Sequence, residues 1–154
     1  MRRIDDQPDL DDLASIGRHL CESDKIELGL TRDPDNYVSL ALDAFESDFK
    51  YVVLDMDVPV MAFGAKLLGP IALVWGFKTD EGRPAVGMVT KFIKRTMIPE
   101  LKSEGVSRAV CLVHPLNQAS QNWLRHLGFT PRATSREFGT RHEEVLLFQR
   151  DDLQ

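Results

Sequence analysis

Between Lys50 and Phe77 the chain passes through three apolar stretches, KYVVLD, VPVMAFGAKLL and IALVWGF, each rich in β-branched or aromatic residues. Asp-Met-Asp and then Gly69-Pro70 separate them, and both are turn chemistries. Punctuation that close leaves no room for a helix, so the segment predicts three consecutive strands in an antiparallel meander. The period then changes. Val89, Phe92, Ile93, Thr96, Met97 and Leu101 fall on one face of a long helix ending near Gly105, and Pro99 inside it should kink or locally break it. VSRAVCLVHP reads as a buried strand, NQASQNWLRHLG as a short amphipathic helix, and FTPRATSREF with EEVLLFQR as a closing pair about a turn at Gly139-Thr140. A strand, a long helix and a strand after a meander form a crossover, which makes two parallel neighbours in a mixed sheet.

Upstream, Asp9 is placed to cap a helix whose Leu10, Leu13, Ile16 and Leu20 share a face, and SDKIELGL adds a further turn. Asp33-Pro34 reads as an N-cap followed by the first helical residue, with Val38, Ala41 and Phe45 as the apolar stripe and an end near Ser47. The order is ααβββαβαββ, an α/β chain of the α+β kind with a mixed sheet. Its 154 residues, 43% hydrophobic and 28% charged, suit a single domain over 1–154.

Charge and cysteine content narrow the function classes. A formal net charge of -5 argues against nucleic acid as a partner, since phosphate binding draws on clustered Lys and Arg. Lys91, Lys94 and Arg95 do cluster, but Glu100 and Glu104 follow, and the group reads as a solvated helix face. Cys21 and Cys111 have no spacing suited to zinc or to a redox pair, so no metal site is expected. The charged first residues are not a signal peptide and no apolar run approaches ~20 residues, so the expected compartment is cytoplasmic, with no membrane segment.

The stretch HPLNQASQNWLRHLGF, from His114 to Phe129, carries more information. Asn117 suits the start of its helix, because its side chain accepts a bond from an orphan amide; Gly128 suits the end, because it enters the left-handed cap without a Cβ penalty. Phe129 would then drop into the core. Taken with the element order, this ending resembles the GCN5-related N-acetyltransferase (GNAT) fold over nearly the whole chain. The resemblance implies that the strands ending at Phe77 and His114 are parallel neighbours that splay apart, and that acetyl-CoA lies in the crevice.

It further implies a Gln/Arg-x-x-Gly-x-Gly/Ala loop whose amides hold the pyrophosphate at the start of the long helix. EGRPAVGMV offers Arg83 and Gly87 near that place, without the Gly-x-Gly and with Pro84 removing a donor. The cofactor contacts expected from the resemblance are Phe77, Lys78, Arg83, Gly87, Met88 and Asn117. Active members often carry a Tyr five residues before the aromatic of the Gly-Phe pair, to protonate the CoA thiolate. Leu124 stands there, which leaves His114 as candidate acid and Asp80 or Glu81 as candidate bases. These departures, together with Trp123-Leu124, Leu127-Gly128 and EEVLLFQ, are similar to GNAT-like internal virion or head-assembly proteins of short-tailed bacteriophages.

Three functions follow as expectations. One is a catalytically degenerate scaffold with protein partners in a phage particle, located in the host cytoplasm or virion. Another is an acetyl-CoA-dependent N-acetyltransferase acting by direct transfer to an amine. The last is an acyl-CoA-binding module without turnover.

Overall fold

The computed structural model describes residues 1–138 and 143–153. Seven strands form one mixed sheet: β1 (Arg2–Asp5), β2 (Phe49–Asp55), β3 (Val58–Leu68), β4 (Ile71–Lys78), β5 (Arg108–Val113), β6 (Thr130–Phe138) and β7 (Glu143–Arg150), in the spatial order β1-β2-β3-β4-β5-β7-β6. The meander is present, with β2, β3 and β4 antiparallel. Its first turn puts Met56 and Asp57 at φ 50 and 67, the left-handed pair of a two-residue hairpin. The expected turn at Gly139-Thr140 lies outside the described residues.

Helices α1 (Leu10–Arg18), α2 (Glu22–Leu28) and α3 (Tyr37–Phe45) precede the meander. Strand alternation sends Val52, Leu54, Ala62 and Phe77 to these helices, where they meet Leu13, Ile16, Leu20, Leu40 and Ala41. Tyr51, Val53 and Phe63 point to the other face, beneath Val89, Ile93, Met97, Leu101, Leu124 and Phe129.

Three expectations are corrected. First, β1 is an extra strand, paired antiparallel with β2 and held by Arg2–Asp55 and Arg3–Asp57 ion pairs. Second, α3 starts at Asn36 rather than Asp33. The Asn36 side chain accepts from the Ser39 amide, while Asp33 caps only the turn before it through the Asp35 amide. The buried face of α3 is accordingly Leu40, Ala41 and Ala44, and Val38 and Phe45 are exposed. Third, Pro99 does not break the long helix. The chain runs helically from α4 (Val86–Phe92) through one widened turn, Ile93–Met97, into α5 (Ile98–Ser103). In that turn the Ile98 amide donates five residues back, to Ile93, and the looser geometry sits one residue before the proline that has no amide to give.

Gly64 is required by close approach. A Cβ there would lie 2.0 Å from the Phe49 carbonyl oxygen and 2.7 Å from Trp75 Cζ2. Because the nearer atom is backbone in the centre of the sheet, Gly64→Ala should destabilise the protein by about 3 kcal/mol, the upper range for overpacking. A urea-unfolding midpoint unchanged by the substitution would refute this.

Candidate functional site

Strand β5 pairs with β4 through three residue pairs, Ile71–Arg108, Ala72–Ala109 and Leu73–Val110, and then leaves it. From Cys111 to Val113 it continues only against β7. Parallel neighbours that part toward their carboxyl ends leave a gap in the middle of the sheet, as the resemblance implied, and ligands bind where such sheets open.

The far end of β4 is fixed by the segment entering α2. The Cys21 amide donates to the Lys78 carbonyl at 2.9 Å, and the Lys78 amide donates to Asp24 Oδ2 at 2.8 Å. Asp24 is buried and also lies 3.7 Å from the Lys78 ammonium. Backbone groups two residues apart in a strand face the same edge, so the N–H and C=O of Gly76 point into the gap between β4 and β5.

Opposite that edge sits Glu27, at the end of α2. Its carboxylate accepts from the His114 amide at 3.0 Å and from Asn117 Nδ2 at 3.1 Å. Asn117 is buried and has two tasks, because its Oδ1 accepts from the Ser120 amide and so caps α6 (Gln118–His126). At the other end of α6 the Gly128 and Phe129 amides donate to Arg125 and Leu124, with Gly128 at φ 92, a Schellman cap that turns Phe129 inward. The helix that begins and ends this way holds Glu27 in the gap. Burial pushes the Glu27 carboxyl up to about 7; the His114 amide opposes this, Asp24 adds to it, and Asn117 and Lys78 oppose it in turn. A carboxylate of that basicity is suited to removing a proton near neutral pH.

Glu27, Val74, Trp75, Gly76 and Cys111 line two cavities, one on each face of the sheet, and so form the neck between them. On the face of α4 and α6 the space is a narrow apolar slot of about 60 Å³. Trp123 borders it, and its indole Nε1 donates to Thr90 Oγ1 at 2.8 Å, tying α6 to α4. On the face of α2 and α3 the space is wider, about 510 Å³. Burial, and secondarily the nearby Glu27 charge, push the Cys111 thiol up, so it stays protonated and is a poor nucleophile.

The residues expected from sequence fall in several places. Phe77 is buried against the N-terminal helices, stacked on Trp75. Lys78 is held by Asp24. Arg83 is exposed and 3.5 Å from Asp80, and Met88 packs partly against the core below α4. At Gly87 a Cβ would meet nothing within 4 Å, so the surface there is open. The preceding segment, Asp80–Ala85, is wound into a 3-10 turn in which the Gly82 amide donates to Thr79 and the Val86 amide to Arg83. His114 is buried, and its Nδ1 accepts from the Leu116 amide, so the imidazole helps build the corner between β5 and α6. Leu124 is buried. Glu27, Gly76 and Asp24 were not anticipated. An acidic residue on an amphipathic helix reads as a solvated one, and only the tertiary fold carries Glu27 to the strand gap. Among the described residues no group of three or more His, Cys, Asp or Glu is arranged to hold a metal, and no helix is long and apolar enough to cross a membrane.

No family model and no curated protein matches the sequence. Solved structures do match the fold. Ard1 from Thermoplasma volcanium superimposes with a TM-score of 0.76 at 14% identity, over 99% of each chain. An N-acetyltransferase from Staphylococcus aureus Mu50 gives 0.75 at 16% identity, over 100% of this chain and 99% of that one. A GNAT-superfamily phosphinothricin acetyltransferase from Sinorhizobium meliloti, solved in complex with AcCoA, gives 0.72 at 16% identity, over 97% and 87%. The strand order, the gap between β4 and β5 and these superpositions together establish that the chain has the fold of the GNAT acetyltransferases.

Proposed function

We infer that the protein is an acyl-CoA-dependent N-acyltransferase acting by direct transfer to an amine, with acetyl-CoA as the donor. The observation that carries this is Glu27, a carboxylate of raised basicity held in the neck that joins the two faces of the sheet. Bound acetyl-CoA would supply the thioester acyl group from the face of α4 and α6.

The residues fit such a donor at the strand edge. Gly76 turns one N–H and one C=O into the gap, which suits the amides of an extended pantetheine arm, and the slot wall is otherwise apolar. At about 60 Å³ the slot is below a small-molecule site and must widen to admit that arm; Trp123, which borders it, is tied to Thr90 of α4. Glu27 takes the proton of an ammonium arriving from the opposite face, freeing the nitrogen lone pair for the thioester carbon. As the C–N bond forms the C–S bond breaks; one ammonium proton stays on the carboxyl group, and the second, released as the nitrogen becomes an amide, goes to the departing CoA thiolate. Cys111, held protonated, takes no acyl group, so no covalent enzyme intermediate is needed. Leu124 can pass the departing thiolate no proton, and of the described residues lining the slot Ser120 carries a hydroxyl that both donates and accepts, as relaying the amine proton would require.

A second reading, a catalytically silent GNAT-fold protein of a bacteriophage particle, draws on Leu124 and on the wound 3-10 turn where an open anion loop was expected. It predicts neither coenzyme binding nor turnover. Acetyl-CoA at a hundredfold excess over its dissociation constant should stabilise the native state by ~2.7 kcal/mol in a thermal-shift experiment. Gly87→Glu, which places a carboxylate on the open surface at the start of α4, should abolish that rise. Acetyl transfer to a panel of amines completes the test: no stabilisation and no transfer would leave the silent reading.

A further inference from the structure

Two residues lining the wide cavity on the face of α2 and α3 carry buried donors without a partner. Three buried side-chain nitrogen or oxygen atoms lack a partner among the described residues: Arg32 Nε, Arg32 Nη1 and Trp75 Nε1. All three are donors, and both residues line this one cavity. Buried donors are nearly always satisfied, so two residues of one cavity lining with unmet donors point to an acceptor that the described residues do not supply. Arg32 does have one partner, Asp43, through Nη2. Lys66, also on the lining, has no ion pair among the described residues. The carboxylates on the lining are engaged, Glu27 by His114 and Asn117, and Asp43 by Arg32.

The sheet floor of the same cavity is apolar. α1 to α3 cover β2 to β4 and leave Leu73 and Leu112 exposed at 38% and 40%, with Leu147 directly opposite Leu112 in the register. This shelf leads toward the neck where Glu27 sits.

We propose that the acceptor is a small amine carrying a carboxylate and an apolar side chain, an apolar amino acid in chemical type, with the carboxylate received by Arg32 and the Trp75 indole N–H and the side chain on the Leu73–Leu112 shelf. The identity of the acceptor rests on the transferase reading above; the carboxylate site itself does not, and it is tested without turnover.

Binding of N-acetyl-L-phenylalanine and of N-acetyl-L-phenylalaninamide to the full chain is measured by titration calorimetry, with and without CoA. The acid should bind more tightly by on the order of 10–100-fold, the worth of charge-assisted bonds to otherwise unpaired donors. Arg32→Gln should remove the preference while the thermal shift with acetyl-CoA persists. Trp75→Phe, which removes the indole N–H together with one ring but keeps an aromatic against Phe77, should weaken the acid several-fold and leave the amide unchanged, so the test holds even where the Arg32 variant misfolds. Equal affinity for acid and amide in the unaltered protein overturns the proposal, as does an acid preference that survives both substitutions. Acid binding without any acetyl-CoA binding would sustain the carboxylate site and remove the transferase reading. Acetyl-CoA binding without acid preference would do the reverse.

Discussion

Replacing Glu27 with Gln should lower kcat for acetyl transfer by about 10²–10⁴-fold, the usual contribution of a positioned general base, with little change in the affinity for acetyl-CoA. Gln keeps the volume and one carbonyl acceptor, so the bond from either the His114 amide or Asn117 Nδ2 can persist. What is lost is the ability to take a proton. The pH dependence separates this from a packing defect. With a carboxyl pushed up to about 7, the wild-type rate should rise as pH increases through that value, because the base must be ionised, and the limb should vanish in the Gln variant. Stability moves the opposite way. The folded pKa lies above the ordinary value of 4.5, so the cost of ionising Glu27 in the fold is absent below 4.5, grows as pH rises through the window, and is complete above about 7. Stability should therefore decline with pH across that window in the wild type and decline less in the variant. A folded Glu27→Gln protein with wild-type kcat would eliminate Glu27 as the base.

The parts of the fold that were legible in the sequence are those whose signals are local. The meander announced itself because Asp-Met-Asp and Gly69-Pro70 interrupt β-branched runs, and α6 because Asn117 and Gly128 meet the demands of its two ends. β1 was not legible. RRID is four residues long with no alternation, and its place is set by β2 and by ion pairs to Asp55 and Asp57, all distant in sequence. The start of α3 was misread because Asp33 and Asn36 are both good caps three residues apart, and only the fold selects the second. The site divides along the same line. The parallel pairing of β4 and β5 followed from element order, and the gap between them from the family resemblance. The base did not, because Asp80 and Glu81 were sought next to β4 in sequence, whereas Glu27 reaches the gap through the bonds from Cys21 and to Asp24 that clamp α2 onto Lys78. Asn117 shows both sides of this: its capping bond is local and readable, while its second bond, to Glu27, spans 90 positions.

Phe129→Ala should cost ~3–5 kcal/mol, enough to bring a domain of ordinary stability close to unfolding. Phe129 is 4% exposed, and the Schellman cap fixes its direction, since its own amide donates to the Leu124 carbonyl at 2.9 Å. The side chain shares the core with Leu124, Leu127 and Phe148, and neither the cap behind it nor the β7 strand beside it can close over a lost ring. The void would join the slot it already borders, beside Leu124 and Trp123, so the same substitution should loosen the position of α6 and through Asn117 the hold on Glu27. Phe129→Leu keeps most of the volume and should cost under about 1.5 kcal/mol, while Leu116→Ala, at a position 80% exposed, should fall within about 0.5 kcal/mol of neutral. Urea-unfolding midpoints at constant slope give all three values. A loss below 1 kcal/mol for Phe129→Ala would mean that the ring does not fill the core and that the Gly-Phe ending serves the cap alone. A loss in the expected range together with a fall in kcat of the Leu variant would tie the end of α6 to the placement of the base at its start.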